Sequence, residues 1–102
     1  MLTLAPTATL ELHLVPAGRR LDFTISPAQF AYVYRRGRGQ HWECVARNAC
    51  SPYLDRMPIS PDATYEYVVQ YRDASGLVTS KTPIVRVAPA MLPAIPSWVS
   101  LR

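Results

Sequence analysis

Apolar and polar residues alternate along most of this chain with a period of two, the mark of strands that bury one face. Between Ala8 and Val15, Leu10, Leu12 and Leu14 interleave with Thr9, Glu11 and His13. That predicts a first strand with leucines inward and His13 as a solvated residue on the polar face. Pro16-Ala17-Gly18-Arg19 reads as a turn, and Arg20 to Ser26 as a second strand with Leu21, Phe23 and Ile25 inward. The two strands form a hairpin. After a turn at Pro27-Ala28, Phe30, Tyr32 and Tyr34 alternate with Ala31 and Val33 as far as Arg36. Both faces of this third strand are apolar, so the pattern leaves its inward side open. A Gly-containing turn over residues 36–40 leads to a fourth strand, His41 to Arg47, carrying Trp42, Cys44 and Val45.

An irregular segment over residues 48–58 crosses next, with room for a short strand at Tyr53-Leu54. Pro61-Asp62 then makes a turn. From Tyr65 to Arg72 the alternation is at its clearest: Tyr65, Tyr67, Val69 and Tyr71 on one side, Glu66, Val68, Gln70 and Arg72 on the other. Asp73-Ala74-Ser75-Gly76 is a hairpin turn. Leu77 to Val87 reads as the last strand, with Pro83 confining part of it to an edge or a bulge. The expectation is an all-β sandwich of about seven antiparallel strands.

Ile59, Pro61 and Tyr65 form a spacing, apolar residue, proline two later, tyrosine six later, that resembles the tyrosine corner of fibronectin type III domains. The resemblance implies an immunoglobulin-like sandwich in which the Tyr65 hydroxyl bonds backbone a few residues upstream and pins the corner between two sheets. Tyr32-Val33-Tyr34-Arg35, followed by Gly, Trp42 and Val45, is similar to the central hairpin of bacterial and phage members. Many relatives carry Trp on the second strand, where this chain offers Phe23 or Ile25 instead. The resemblance covers about residues 8–88. It leaves residues 1–7 as an N-terminal arm and 89–102 as a Pro-rich, apolar C-terminal arm.

A length of 102 residues suits one domain with one core. All eleven basic residues but Lys81 are arginine, and against seven acids they give a net charge of +4. That is within the ordinary range for a soluble small domain and favours acidic partners only weakly. No apolar run approaches the roughly 18 residues of a membrane helix. The first residues show no basic stretch before a long apolar one, so the expectation is synthesis in a cytosol without a secretory signal.

Signatures of catalysis are missing from the sequence. Its serines lack an elbow motif, its two histidines stand far apart, and its acids fall singly on outward positions. The four glycines all sit in turns, and no cofactor or metal site is expected. Cys44 and Cys50 have no third ligand nearby, which argues against zinc. They are either a short-loop disulfide or two reduced thiols, and the absence of a secretory signal favours thiols.

Function is therefore sought on the surface. Arg35, Arg36 and Arg38, with Tyr34 and Trp42 nearby, predict a basic hairpin tip suited to a protein contact, with nucleic acid a distant third reading behind a merely solvated tip. The C-terminal arm, with Met91, Leu92, Ile95, Trp98 and Val99 and no charge before Arg102, has the wrong composition to be left in water. Its prolines favour extended backbone that can dock in a groove or on a sheet edge. These features, with the resemblance, point to a non-enzymatic structural subunit of a virion, as capsid decoration or tail accessory, bound to a protein lattice or to copies of itself. Two alternatives are a carbohydrate- or cell-surface-binding module of a secreted protein, and a small regulator that grips a nucleoprotein by its Arg-rich hairpin.

Overall fold

The computed structural model describes residues 8–37, 39–58 and 64–87. The corner residues Ile59 and Pro61, the tip residue Arg38, and both arms, with Met91, Leu92, Ile95, Trp98 and Val99, lie outside the described residues. Among those described, eight strands form two antiparallel sheets and there is no helix. The chain is a β-sandwich.

The strands are β1 (Leu10–Val15), β2 (Gly18–Phe23), β3 (Phe30–Gly37), β4 (Glu43–Ala46), β5 (Tyr53–Asp55), β6 (Tyr65–Arg72), β7 (Val78–Lys81) and β8 (Val85–Val87). One sheet has the order β1-β2-β5; the other runs β4-β3-β6-β7, with β8 also paired to β6. The longest ladder joins β3 to β6 over eight pairs, from Phe30 opposite Arg72 to Gly37 opposite Tyr65. Because side chains alternate, this register decides the side that the sequence left open. Ala31 and Val33 face inward against Tyr71 and Val69, and Tyr32 and Tyr34 face out.

The core between the sheets is built from Leu10, Leu21, Phe23, Ala31, Val33, Tyr67, Val69, Tyr71 and Val87. Each of its leucine, valine and phenylalanine side chains contributes about 1.5–3 kcal/mol by leaving water. Tyr71 keeps its hydroxyl satisfied by donating to the Thr24 carbonyl at 2.6 Å, so a tyrosine fits where one polar atom meets the sandwich rim.

Several boundaries differ from expectation. The β1–β2 connection is tighter, because Val15 pairs directly with Gly18. Gly18 has φ of 148°, and a Cβ there would collide with the Asp55 carbonyl of β5. Only glycine lets β2 begin so close to its neighbour. β2 ends at Phe23, and Ile25, expected inward, is exposed.

The single last strand is in fact two. Between β7 and β8 the chain leaves the ladder at Thr82-Pro83-Ile84, since proline has no N–H to donate. Thr82 repairs the gap: its amide donates to the Val69 carbonyl at 2.9 Å, and its hydroxyl accepts from the Val69 amide at 3.0 Å. The same hydroxyl donates to the Pro83 carbonyl at 2.9 Å. Thr82 is buried, whereas Pro83 and Ile84 are pushed outward.

Candidate functional site: one buried ionic clamp and one aromatic-cationic face

Two clusters hold most of the chemically capable side chains, and they have opposite characters. The first lies between the sheets. Arg19 and Asp55 are direct cross-strand partners on β2 and β5 and face inward, with only 4% of each side chain exposed. From the opposite sheet come Tyr67 of β6 and Arg35 of β3, themselves cross-strand partners. The Tyr67 hydroxyl donates to Asp55 Oδ2 at 2.6 Å and accepts from Arg19 Nε at 2.6 Å. Arg35 donates to Asp55 Oδ2 at 2.8 Å and, with its other nitrogen, to Glu43 Oε1 at 2.8 Å. Arg19 also donates to the Met57 carbonyl at 2.9 Å, and the Met57 amide donates to Asp55 Oδ1 at 3.1 Å.

Burial pushes the Asp55 carboxyl up, but the bonds from Tyr67, Arg35 and the Met57 amide outweigh it and hold the group below the usual carboxylate range. Burial and the bond to Asp55 push the Tyr67 hydroxyl well above its ordinary value. Burial alone would lower Arg35, but Asp55 and Glu43 raise it. The shifts thus favour Asp55 as the anion, Tyr67 as the neutral donor and Arg35 as the cation. No buried side-chain polar atom among the described residues lacks a partner. The cluster joins the two sheets.

This placement corrects two expectations. Asp55 is buried and shared between two arginines, not single on an outer face. Arg35 is not at a solvated tip: its side chain is 12% exposed and turned into the sandwich. Arg36, its neighbour, points the other way and bonds Glu66 through two nitrogens at 2.9 and 2.7 Å. The structure does not bring Arg35 and Arg36 together.

The second cluster covers the outer face of the five-stranded sheet. Arg36, Glu66 and Arg86 form a row across β3, β6 and β8, with Glu66 held below the usual carboxylate range by Arg86 and Arg36. The Arg36 guanidinium lies 4.2 Å from the centroid of the Trp42 ring. Toward the other end, Arg72 stacks on Tyr32 at 4.4 Å and donates to the Tyr34 hydroxyl at 2.8 Å. It also donates twice to Gln70 Oε1, at 3.1 and 3.0 Å. Between these rows lies a groove of about 450 Å³ whose walls include Tyr34, Trp42, Gln70, Lys81, Pro83 and Ile84. The outward kink after β7 makes one wall, and Ile84 is 52% exposed there.

Of the other expected site residues, Tyr65 is half-buried on β6, with the Arg19 guanidinium 5.5 Å from its ring centroid. Cys44 and Cys50 are both free thiols, Cys44 half-buried and Cys50 exposed. Among the described residues no group of three metal-ligating side chains occurs. The aromatic part of the groove was visible in the sequence as Tyr34 and Trp42. Gln70, Lys81 and Ile84 were not singled out, because each needs β6–β7 pairing to approach the others. Arg19 had a fainter signal, since counting back by two from Phe23 and Leu21 places it inward, whereas Asp55 had none.

The fold is a two-sheet antiparallel β-sandwich with a grooved, cationic-aromatic outer face. Comparison with protein-family models, curated proteins and solved structures found no match.

Proposed function

We propose that the chain is a non-enzymatic interaction module, built to occupy a place in a larger protein assembly. The observation that carries this reading is the division of labour between the clusters. The buried ionisable groups saturate one another across the sheets, whereas aromatic, apolar and cationic side chains surround an open groove on one outer face. Tyr, Trp and Arg around a hollow are the usual anchors of protein interfaces. The uncharged sequence 89–102, with Met91, Leu92, Ile95, Trp98 and Val99, supplies a second apolar anchor. With the fibronectin type III resemblance, these features favour a virion decoration or tail-accessory subunit, made in a host cytoplasm and docked on a repeating lattice.

The test is co-assembly. Deleting residues 89–102 leaves a folded sandwich by circular dichroism but abolishes co-sedimentation with the assembled particles. Unchanged incorporation of the shortened chain sinks the proposal.

Tyr34 and Trp42 beside Gln70 and Lys81 also favour a second reading, a carbohydrate-binding module. Glycan-array binding lost in Trp42→Ala would support it. A nucleoprotein regulator acting through an Arg-rich tip has less behind it, because Arg35 and Arg36 are engaged within the domain.

A further inference from the structure

Among the described residues the charges around the groove do not balance. On the outer sheet face Glu66 is shared by Arg36 and Arg86, and this one carboxylate accounts for the first two cations. Among the described residues Arg72 meets only neutral acceptors, the Tyr34 hydroxyl and the Gln70 carbonyl oxygen. Lys81, directly across from Gln70, makes no ion pair among the described residues. Lys81 lines the hollow, Arg72 bonds its lining residue Gln70, and neither cation has a counter-charge among the described residues.

Beside them runs a sheet edge. β7 is the last strand of its sheet, paired only to β6 among the described residues, and all four of its residues are exposed. Its outer backbone groups are available to a further strand. Leu77, Val78 and Ile84, three of the four large exposed apolar side chains among the described residues, lie on or next to it. A free edge, flanking apolar side chains and uncompensated cations occur together here. Sugars and nucleic acids would use the cations and rings but not the edge. A peptide uses all three.

We propose that the β7 edge and its groove receive an extended acidic-apolar peptide segment of the partner protein. Its backbone adds alongside Val78–Lys81, an apolar side chain enters between Trp42 and Ile84, and a carboxylate meets Lys81 and Arg72. This rests on the interaction-module reading and names the chemistry of the partner. Opposite charge across such a contact chiefly accelerates encounter and rejects wrong partners, and salt weakens it.

The test is selection from a random dodecapeptide display library on the immobilised full chain, followed by anisotropy measurements with the selected peptides. The expected sequences combine Asp or Glu with alternating apolar residues. Their affinity falls at least about tenfold for Lys81→Glu and for Ile84→Asp, both at exposed positions, and again between 50 and 300 mM NaCl. Circular dichroism of each variant establishes that it is folded. Selection of basic or uncharged peptides, equal binding to Lys81→Glu, or no selected peptide at all overturns the inference. So does tighter binding of an oligouronate or of a single-stranded oligonucleotide than of any peptide. Particle co-sedimentation of folded Lys81→Glu separates the two claims. Retention with the particle leaves the assembly role standing and rejects this groove as its peptide site.

Discussion

Replacing Asp55 with Ala removes the acceptor on which both sheets converge. Two guanidinium groups and one phenol then lose their shared partner: Arg19 at 3.3 Å, Arg35 at 2.8 Å and Tyr67 at 2.6 Å. Arg35 keeps Glu43, and Arg19 keeps the Met57 carbonyl, so neither is wholly stranded. Breaking a buried ion pair by removing one side costs about 3–5 kcal/mol. A fall of that size is a large part of the roughly 5–15 kcal/mol by which a domain is stable. At about 4–8 °C per kcal/mol, it lowers Tm by about 12 °C or more. Urea unfolding monitored by tryptophan fluorescence reads the loss directly. If the cost arises from stranded charge, replacing Arg19, Asp55, Arg35 and Tyr67 together with Met, Leu, Met and Phe recovers most of it, since apolar side chains need no partner. A loss below about 1 kcal/mol in Asp55→Ala, or no recovery in the fourfold variant, would refute the clamp as described.

Four further outcomes follow from the same structure. Tyr67→Phe removes one donor and one acceptor from the clamp and costs about 1–3 kcal/mol in the same urea assay. Thr82→Val leaves the buried Val69 amide without its side-chain acceptor and costs a similar amount, about 1–3 kcal/mol. Because the folded carboxyl of Asp55 sits below its ordinary value near 3.9, its contribution is fully present above that pH and is lost as pH falls further, through the folded value. Stability measured against pH therefore drops more steeply below pH 4 in the parent than in Asp55→Asn. Conversely, the Tyr67 hydroxyl is raised, so its contribution is present below the ordinary tyrosine value near 10 and is lost only as pH climbs past it. Ultraviolet titration at alkaline pH will find Tyr67 ionising together with unfolding.

How much the sequence discloses depends on the distance over which each feature is encoded. The inward row Tyr67, Val69 and Tyr71 was legible because period-two alternation is local, and burial followed it. Leu10, Leu12 and Leu14 behaved likewise, all within or against the core. The side taken by Ala31 and Val33 was not legible, because both faces of β3 are apolar and only its register with β6 decides between them. The split of the last strand was half visible in Pro83, but the repair by Thr82 requires Val69 to stand opposite.

Arginine was the most misleading residue type. Arg35 and Arg36 are adjacent in sequence and looked like one basic tip. Strand alternation sends one to Asp55 inside and the other to Glu66 outside. Asp55 was hidden for a related reason: the side chains that donate to it come from strands 12 to 36 residues away, and nothing adjacent to it signals burial. For the groove, aromatic residues announced a surface worth attention, but its walls are assembled by pairing β4, β3, β6 and β7 side by side.

The central claim is that the grooved sheet face and its β7 edge meet the partner while the opposite sheet does not. Hydrogen–deuterium exchange of the chain, free and bound in its assembly, tests that claim most directly. The account predicts added protection over Val78–Ile84 and around Trp42, with none over β1. Protection confined to β1 and β2, with β7 exchanging as in the free protein, would contradict it.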